Sequence, residues 1–413
     1  MVSQAPRYIS LFSGAGGLDL GLEMAGWRTA YASDNDPAAI ATLKANAGIA
    51  LANGLRPFDG THIEQADITQ LTARLILDAS GLAKGEVPLL AGGPPCQSWS
   101  SAGHQLGLQD PRGRLFEDFV RIANDLDARW LLLENVRGLL TARGPDGQPG
   151  SALAHIRQSL LNAGFQTTVS LLNAADFGVA QRRVRLFIIG FRRGDVPVFP
   201  DPTHVRDRAN GASAWVSLGE ALATVEPLSQ DEIIVPTGKM AIDLADVPAG
   251  SGVKSMGKAE RTRPGGHWGY KQGAFVADLT RSARTVTAGA QQDWVRDPVR
   301  GLRRLCPREC AAIQSFPPEW TIVGNAQAKY RQIGNAVPPL LAHAVGASLL
   351  SQLVAEGAAS PASIEDLLPL PSKLAYHVRY TAREEASNGA SRRQAPKRRK
   401  VANVQTDTAA VSA

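Results

Sequence analysis

The amino-acid sequence predicts an α/β protein whose first domain, residues 1–193, is a Rossmann-like, doubly wound sheet. Short apolar runs alternate with helical patterns over this range, and they amount to about seven strands. A glycine-rich turn joins the first run to the first helix. Polar residues follow several runs directly, and open α/β sheets place their sites at such strand ends. These observations indicate one domain that binds a cofactor and performs catalysis.

The first strand and the turn after it are typical of a nucleotide-binding site. The strand covers Tyr8 to Phe12, and the turn Ser13 to Gly17 leads into a helix. Glycines allow backbone N–H groups and the helix N-terminus to approach a ligand closely. The dinucleotide pattern is incomplete, because Asp19 occupies the position of its third glycine. A tight strand-to-helix turn without a ligand would explain the same residues.

Acidic residues end the second and third predicted strands. Asp34 follows the strand Thr29 to Ser33 and lies about 20 positions after the glycine turn, which suits hydrogen bonds to ribose hydroxyls. Asp67 lies where a third strand would end, and it could meet an adenine amino group. It could equally be the N-cap of the helix that follows.

A cysteine stands at the end of the next apolar run. Val87 to Ala91 predicts a short buried strand, and two glycines and two prolines then lead to Cys96. Proline restricts the backbone, so the turn is stiff and holds the thiol at the strand end. A covalent enzyme needs a thiol in such a place. The alternative is an unreactive cysteine that behaves as a small apolar side chain.

Charged residues also mark the last two strands of the predicted sheet. Glu134 directly follows the apolar run Trp130 to Leu133, where an ionised carboxylate is costly unless it is paired. Such burial raises a carboxyl pKa, as a general acid requires, although a salt-bridged or capping glutamate would fit as well. Arg183 and Arg185 share one face of an alternating strand. They could bind carbonyl oxygens or phosphates, or form a solvated rim.

The remaining chain divides into four further segments. The polar stretch Ser98 to Arg112 predicts a mobile lid. Residues 194–302, rich in Gly, Pro and Thr, predict a smaller, irregular and mostly β domain. Helical patterning returns within residues 303–370, at Pro307 to Phe316 and at Val337 to Leu353. Residues 371–413 predict a disordered basic tail, which could be an import signal or could bind phosphates.

Charge and cysteine content limit the class of protein. The net charge is +6, and the tail carries all of it, because residues 371–413 hold nine Lys or Arg and three Asp or Glu. Three cysteines are too few for a disulfide framework, and Cys306 and Cys310 lack the partners of a zinc site. We therefore expect no metal. No signal peptide or long apolar span is recognised, which predicts a cytoplasmic protein without a membrane role.

Seven motifs in a fixed order resemble the DNA (cytosine-5)-methyltransferase family, and in particular its bacterial restriction–modification members. Each motif is moderately specific, but the ordered set is very specific, and it spans roughly residues 7–350 apart from the variable region. The motifs are SLFSGAGGLDLG at 10–21, GPPCQ at 93–97, DPRGRLF at 110–116, ENV at 134–136, QRRVR at 181–185, the segment 304–318, and GNAVP at 334–338.

The resemblance implies a reaction and a role for each polar residue. Cys96 would add to C6 of cytosine, so that C5 can attack the sulfonium methyl of S-adenosylmethionine. Glu134 would hold N3 and the exocyclic amine and supply a proton. Arg185, with Arg183, would bind the O2 carbonyl. The base must be flipped out of the duplex, because none of these groups can reach it inside.

The resemblance also implies the cofactor site. Asp34 would bind the ribose hydroxyls, although the family usually has the longer Glu there. The remaining positions would border the methionine part, the adenine and the rest of the pocket. They are Phe12, Gly14, Gly16, Leu18, Asp67, Ile68, Pro95, Leu115, Asn335 and Val337.

For partners, the resemblance implies double-stranded DNA in a cleft between the catalytic domain and a target-recognition domain at 194–302. Gln97, Ser100 and Thr285 would contact the DNA, with Thr287 a weaker candidate. A restriction endonuclease acting on the same sequence could accompany the enzyme, and we expect a monomer. Three alternatives stay open, namely a tRNA methyltransferase, a catalytically silent DNA-binding regulator and a Rossmann dehydrogenase. The Cys-Phe-Thr element of the tRNA branch is absent from the variable region.

Overall fold

The computed structural model describes residues 5–95, 111–192, 196–206, 212–255, 273–355 and 367–394. A seven-stranded sheet with strand order β3-β2-β1-β4-β5-β7-β6 forms the centre of the first domain. Six strands run in the same direction, and β7 runs antiparallel to its two neighbours, β5 and β6. The predicted fold class and number of strands are thereby confirmed. The strands are β1 (Arg7–Leu11), β2 (Arg28–Asp34), β3 (His62–Gln65), β4 (Leu89–Gly92), β5 (Trp130–Val136), β6 (Gln166–Asn173) and β7 (Val184–Phe191).

Helices cover both faces of this sheet, which explains why its central strands β4 and β5 contain apolar runs without alternation. On one face Leu131 and Leu133 pack with helix α4, and on the other face Trp130 and Leu132 pack with α1 and α10. Helix α4 takes in the last two residues of the predicted lid. The first five helices are α1 (Gly17–Met24), α2 (Pro37–Asn46), α3 (Ala73–Ser80), α4 (Pro111–Asp125) and α5 (Ser151–Asn162).

The described part of the variable region combines short strands with two short α-helices and long irregular segments. Strands β10 to β13 form one small sheet, and β8 pairs with β9. Strand β13 crosses the predicted boundary at residue 302, because it pairs with β12 and also leads into the next helix. The elements are β8 (His204–Val205), β9 (Ser213–Ala214), α6 (Leu218–Leu222), α7 (Gly238–Ala245), β10 (Ser251–Gly252), β11 (Phe275–Val276), β12 (Trp294–Asp297) and β13 (Gly301–Arg304).

The C-terminal segment returns to the first domain. Two of its helices match the predicted ones with slightly different ends, and α9 was not predicted. The helices are α8 (Pro307–Ile313), α9 (Ala326–Asn335), α10 (Pro339–Ala355) and α11 (Ser372–Gln394). Residues Ala326–Leu353 are long and apolar enough to cross a membrane by composition, contrary to the expected absence of such a span. The turn at Pro338 interrupts them, however, and α10 buries Leu341 and Val345 against α1, as a core helix does.

Helix α11 corrects the prediction that disorder begins at residue 371. Its first turns carry Leu374 and Val378 four residues apart, so both side chains lie on one face. Leu374 is buried in the main core, and Val378 packs against Gly150. The basic composition concealed this short apolar repeat.

Two buried carboxyl groups lie on α1, one of them at the position of the missing third glycine. Asp19 accepts a hydrogen bond from the Tyr8 hydroxyl at 3.0 Å, and Glu23 accepts from the backbone N–H groups of Thr29 and Phe58. Close helix packing depends on other glycines, since a Cβ at Gly21 would lie 2.3 Å from the Pro339 carbonyl oxygen. Asp19 therefore ties α1 to β1.

We expect the free energy of unfolding to fall as the pH rises from about 4 to about 7. Burial raises the pKa of Asp19 to about 6 and that of Glu23 to about 7. Within this window the folded state holds more protons than the unfolded chain, so a rise in pH favours unfolding. Thermal melts should show a flatter pH dependence for Asp19→Asn. The control Asp78→Asn, at an exposed site on α3, should follow the wild type. Parallel curves for wild type and Asp19→Asn would contradict the assignment.

Candidate active site

A pocket opens at the carboxyl ends of the first three strands. Its empty space, open solvent included, is about 290 Å³. Five predicted cofactor residues come together in its lining, from four separate parts of the chain. They are Phe12, Asp34, Asp67, Ile68 and Leu115, and their neighbours Leu11, Ser33, Asn35 and Ala66 were not predicted.

Asp34 is held in place by the glycine turn. Its two carboxylate oxygens accept hydrogen bonds from the backbone N–H groups of Gly14 and Asp36, each at 2.8 Å. Burial raises the pKa of Asp34, whereas these two hydrogen bonds act to lower it. Each carboxylate oxygen keeps a further acceptor site for a ligand hydroxyl. Phe12 beside it has a φ of 57°, a conformation that is uncommon outside glycine and that clusters at functional sites.

The structure excludes one of the two interpretations of Asp67. Its carboxylate caps a local turn by accepting from the Thr69 backbone N–H at 3.0 Å, and the residue also lines the pocket. It is not the N-cap of α3, because Thr72 caps that helix.

Several other predicted cofactor residues lie outside the lining of this pocket. Leu18 and Val337 are buried together in the core between the sheet, α1 and α10. Gly16 faces a second core, where a Cβ would lie 2.8 Å from Leu43. Asn335 is exposed at the end of α9, and Pro95 is half-buried at the end of the strand-β4 turn. For Gly16, Leu18 and Val337 the structure thus shows a packing role.

Asp34→Ala should weaken S-adenosylmethionine binding by about 100-fold, because hydrogen bonds to a charged group contribute about 1.5–3 kcal/mol each. Isothermal titration calorimetry measures this directly. Asp36→Ala is the matched control, since Asp36 caps α2 and pairs with Arg331 outside the pocket lining. Equal affinities of the two variants for S-adenosylmethionine would show that Asp34 does not contact this ligand.

A buried ion pair lies at the ends of β5 and β7. The side chain of Glu134 is 10% exposed, and its Oε1 lies 3.0 Å from Nε of Arg185. The antiparallel pairing of β5 with β7 aligns Val136 with Arg185, which places Glu134 and Arg185 on the same side of the sheet. Burial raises the pKa of Glu134, although Arg185 and then Arg183 oppose this rise. The result is a carboxyl group that can be protonated or paired.

The ion pair adjoins the turn that leads to Cys96. A Cβ at Gly93 would lie 3.2 Å from Oε2 of Glu134. Asn135 donates a hydrogen bond from Nδ2 to the Pro94 carbonyl at 3.1 Å, which joins the two strand ends. Gly93 is three residues before Cys96 in the sequence. The predicted sites Cys96, Gln97 and Ser100, with most of the predicted lid, lie outside the described residues.

Arg183 differs from its predicted role as a partner of a substrate carbonyl. Strand β7 begins one residue later, and the guanidinium group is fully buried. Its Nη1 donates to the Val286 carbonyl at 3.0 Å, and its Nη2 donates to the Gly334 carbonyl at 2.7 Å. Both terminal nitrogens are therefore engaged by the backbone, and Arg183 joins the recognition region to α9.

Gln181 completes this connection, a role that was not predicted for it. Its side chain is fully buried, accepts from the Val286 backbone N–H and donates to the Gln314 side chain, both at 2.9 Å. Thr285, predicted to meet DNA, is exposed and donates from its hydroxyl to the Arg182 carbonyl. A Cβ at Gly334 would lie 2.2 Å from the Thr287 carbonyl carbon. The motifs at 181–185 and 334–338 therefore serve largely to join the two regions.

The amino-acid sequence is similar to those of known proteins, and the similar proteins belong to one class of enzyme. The family model described as C-5 cytosine-specific DNA methylase matches residues 7–351. The chain is similar to the Type II methyltransferase M.NgoFVII of Neisseria gonorrhoeae, with 31% identity over 82% of this chain and 84% of the relative. It is also similar to M.FnuDI of Fusobacterium nucleatum, with 31% identity over 82% of this chain and 92% of the relative.

Solved structures support the fold. A structure described as a DNA modification methyltransferase encoded within a prophage of E. coli has a TM-score of 0.58 and 20% identity, and it covers 84% of this chain and 99% of its own. The structure of Spodoptera frugiperda DNMT2, in a mutant form, has a TM-score of 0.58 and 19% identity, over 83% of this chain and 99% of its own. At these identities the likeness shows the fold alone.

Proposed function

The chain belongs to the C-5 cytosine-specific DNA methylase family, and on this basis we propose that it methylates C5 of one cytosine within a specific sequence of double-stranded DNA. The observation that carries the proposal is the arrangement at the strand ends. The pocket containing Asp34 opens at β1 to β3, and the buried Glu134–Arg185 pair adjoins the turn that leads to Cys96. The relatives named above are Type II DNA methyltransferases, which supports a restriction–modification enzyme.

The pocket residues fit S-adenosylmethionine. An acidic group with free acceptor sites suits ribose hydroxyls, and the apolar side chains of Phe12, Ile68 and Leu115 suit a planar base. When bound, this cofactor supplies an electrophilic methyl group on a sulfonium. Asp34 would orient the ribose, and Asp67 would border the adenine. We propose no resident metal, because none of these steps needs one.

The chemistry assigned to the protein follows from the weak nucleophilicity of C5. The thiolate of Cys96 adds to C6, and Glu134 gives a proton to N3, so the ring becomes an enamine with electron density at C5. After C5 has gained the methyl group, a base removes the C5 proton. The electron pair of that C–H bond re-forms the C5=C6 double bond and expels the thiolate, and N3 returns its proton to Glu134. Sulfur suits both steps, being nucleophilic near neutral pH and a good leaving group.

Arg185 is the arginine that we assign to the cytosine O2. It already contacts the carboxylate of Glu134, and its side chain is 12% exposed. A cation at O2 would stabilise the negative charge that builds during thiolate addition. Arg183 acts through its neighbours instead, as a positioning residue whose charge also favours the ionised form of Glu134.

The proposed DNA substrate must present a flipped-out base, because the site lies at the ends of buried strands. Gln97, Ser100 and Thr285 are the residues that we propose to contact the DNA around it. We further propose that the enzyme acts as a monomer in the bacterial cytoplasm, together with a restriction endonuclease of the same specificity. Sedimentation that shows a stable dimer would contradict the monomer.

Transfer of labelled methyl from S-adenosylmethionine tests the function. The purified protein is incubated with unmethylated bacterial DNA, and separately with tRNA. The expected product is 5-methylcytosine in DNA, and bisulfite sequencing then gives the target sequence. Label in tRNA alone would identify an RNA methyltransferase. No label in either substrate, with the cofactor still bound, would identify a catalytically silent regulator.

A further inference from the structure

The C-terminal segment 367–394 lies beyond the part of the chain that the family model matches, yet it packs on the catalytic domain. The backbone N–H of Leu368 donates to the Gln166 side chain at 3.2 Å, and the Leu368 carbonyl accepts from Arg157. Leu374 then enters the main core, and Val378 contacts Gly150. We call residues 367–394 the extension, and these contacts show that it packs on the catalytic domain.

Helix α11 has two unlike faces. At about 100° per residue, Leu374 and Val378 point the same way, toward the core. Tyr376, Arg379 and Arg383 are exposed, and their positions fall within about 60° of one another on the opposite side. We call these three residues the outer face of α11. Between Ser372 and Arg383 the sequence contains no carboxylate, and Glu384 and Glu385 follow Arg383 directly.

The charge of the chain is concentrated in this extension and the residues after it. Residues 1–370 contain 35 basic and 35 acidic side chains, so this N-terminal core, which precedes α11, has no net charge. Residues 371–413 carry the whole excess of +6. Nucleic-acid binding derives much of its affinity from phosphate neutralisation, which such a balanced core must obtain from local patches.

The extension lies near the active-site edge of the sheet. A short 3-10 helix, Arg137–Thr141, begins directly after β5 and so only three residues beyond Glu134. Leu139 and Leu140 in it share a core with Leu374 of α11. Burial lowers the pKa of His377 on α11, and the positive charge of Arg137 adds to this effect.

We propose that the outer face of α11 binds the phosphate backbone of duplex DNA beside the recognition sequence. The proposal rests on the DNA substrate proposed above. The arginines would neutralise phosphates without reading bases, and Tyr376 would add a hydroxyl donor. The extension would thus supply sequence-independent affinity to a core without net charge.

The test measures binding of a 40-base-pair duplex by fluorescence anisotropy at several salt concentrations. The variant Arg379→Gln/Arg383→Gln should bind at least about tenfold more weakly near 0.15 M salt, since counterion release makes each phosphate contact worth about fivefold there. The slope of log affinity against log salt should become shallower by up to about 1.8, or about 0.9 for each phosphate that is no longer neutralised. The weakening should be equal for duplexes with and without the target sequence.

The matched control is Arg74→Gln/Lys84→Gln, which removes two exposed cations from a region remote in sequence. It should keep the wild-type affinity and slope. Equal slopes in wild type and the α11 variant, or a weakening confined to a tRNA competitor, would overturn the proposal. Methyl transfer at saturating DNA should be unchanged in the α11 variant. Because binding is measured separately, absent methyl transfer in the wild type would count against the proposed function and not against the extension.

Discussion

Cys96→Ala should lower methyl transfer to DNA by a factor on the order of 10⁴ or more, with S-adenosylmethionine binding unchanged. Without sulfur addition at C6 the cytosine ring cannot place electron density at C5, and no other step replaces this one. The Asp34 pocket is formed by β1 to β3 and α4, so the alanine leaves its lining intact. Radiolabel transfer measures the decrease in rate, and calorimetry measures cofactor binding.

The other two cysteines are internal controls for this prediction. Cys306 and Cys310 are both buried, at the start and in the middle of α8, and burial raises the pKa of each thiol, so neither is a nucleophile near neutral pH. Duplex DNA with 5-fluorocytosine at the target separates the variants, because fluorine at C5 prevents the elimination that releases the enzyme. Wild type and Cys310→Ala should form a covalent complex, and Cys96→Ala should not. An adduct with Cys96→Ala would assign the chemistry to another residue.

Glu134→Gln should lower the maximal rate by about 10²–10⁴-fold while DNA binding is retained, since this is the range that general acids typically contribute. Glutamine has nearly the same shape and can still donate to N3 and accept from the exocyclic amine. It cannot give up a proton as charge builds on the ring. Single-turnover methyl transfer with saturating DNA isolates this step, and Glu226→Gln, at an exposed site, is the control.

The pH dependence gives a second, independent measure of the role of Glu134. The step needs the protonated acid, so its rate falls as the pH rises through the raised pKa of Glu134. The step also needs the Cys96 thiolate, so its rate rises through the pKa of that thiol. Wild type should therefore show a bell-shaped profile, and Glu134→Gln should keep only the rising limb. A falling limb that persists in the variant would belong to another group.

Local sequence patterns were sufficient to predict the sheet and half of the cofactor pocket. Apolar runs bounded by glycine, proline or a carboxylate identify the central strands, because a strand that is buried on both faces needs apolar side chains on both. Polar residues directly after such runs converge, since parallel strands end at one edge. Phe12, Asp34, Asp67 and Ile68 therefore meet as predicted.

The roles of Arg183, Gln181, Leu18 and Val337 could not be inferred from their motifs. Arg183 and Arg185 are two residues apart, yet one binds backbone carbonyls and the other pairs with Glu134. The difference depends on the backbone of the segments around residues 286 and 334, which are more than 100 positions away. A motif shows which residue type occupies a position. The tertiary contacts of that residue determine whether it takes part in the chemistry or stabilises the fold.

The order of elements, the family and the residue types at the strand ends follow from the sequence alone, because these depend on local composition and spacing. The tertiary structure was needed to decide which of those side chains share a site, and to show that α11 packs on the core. Both depend on contacts between distant segments, such as Leu374 with Leu139 and Leu140. The free energy of such contacts comes from burying apolar side chains of two distant segments against each other. It therefore cannot be inferred from either segment alone.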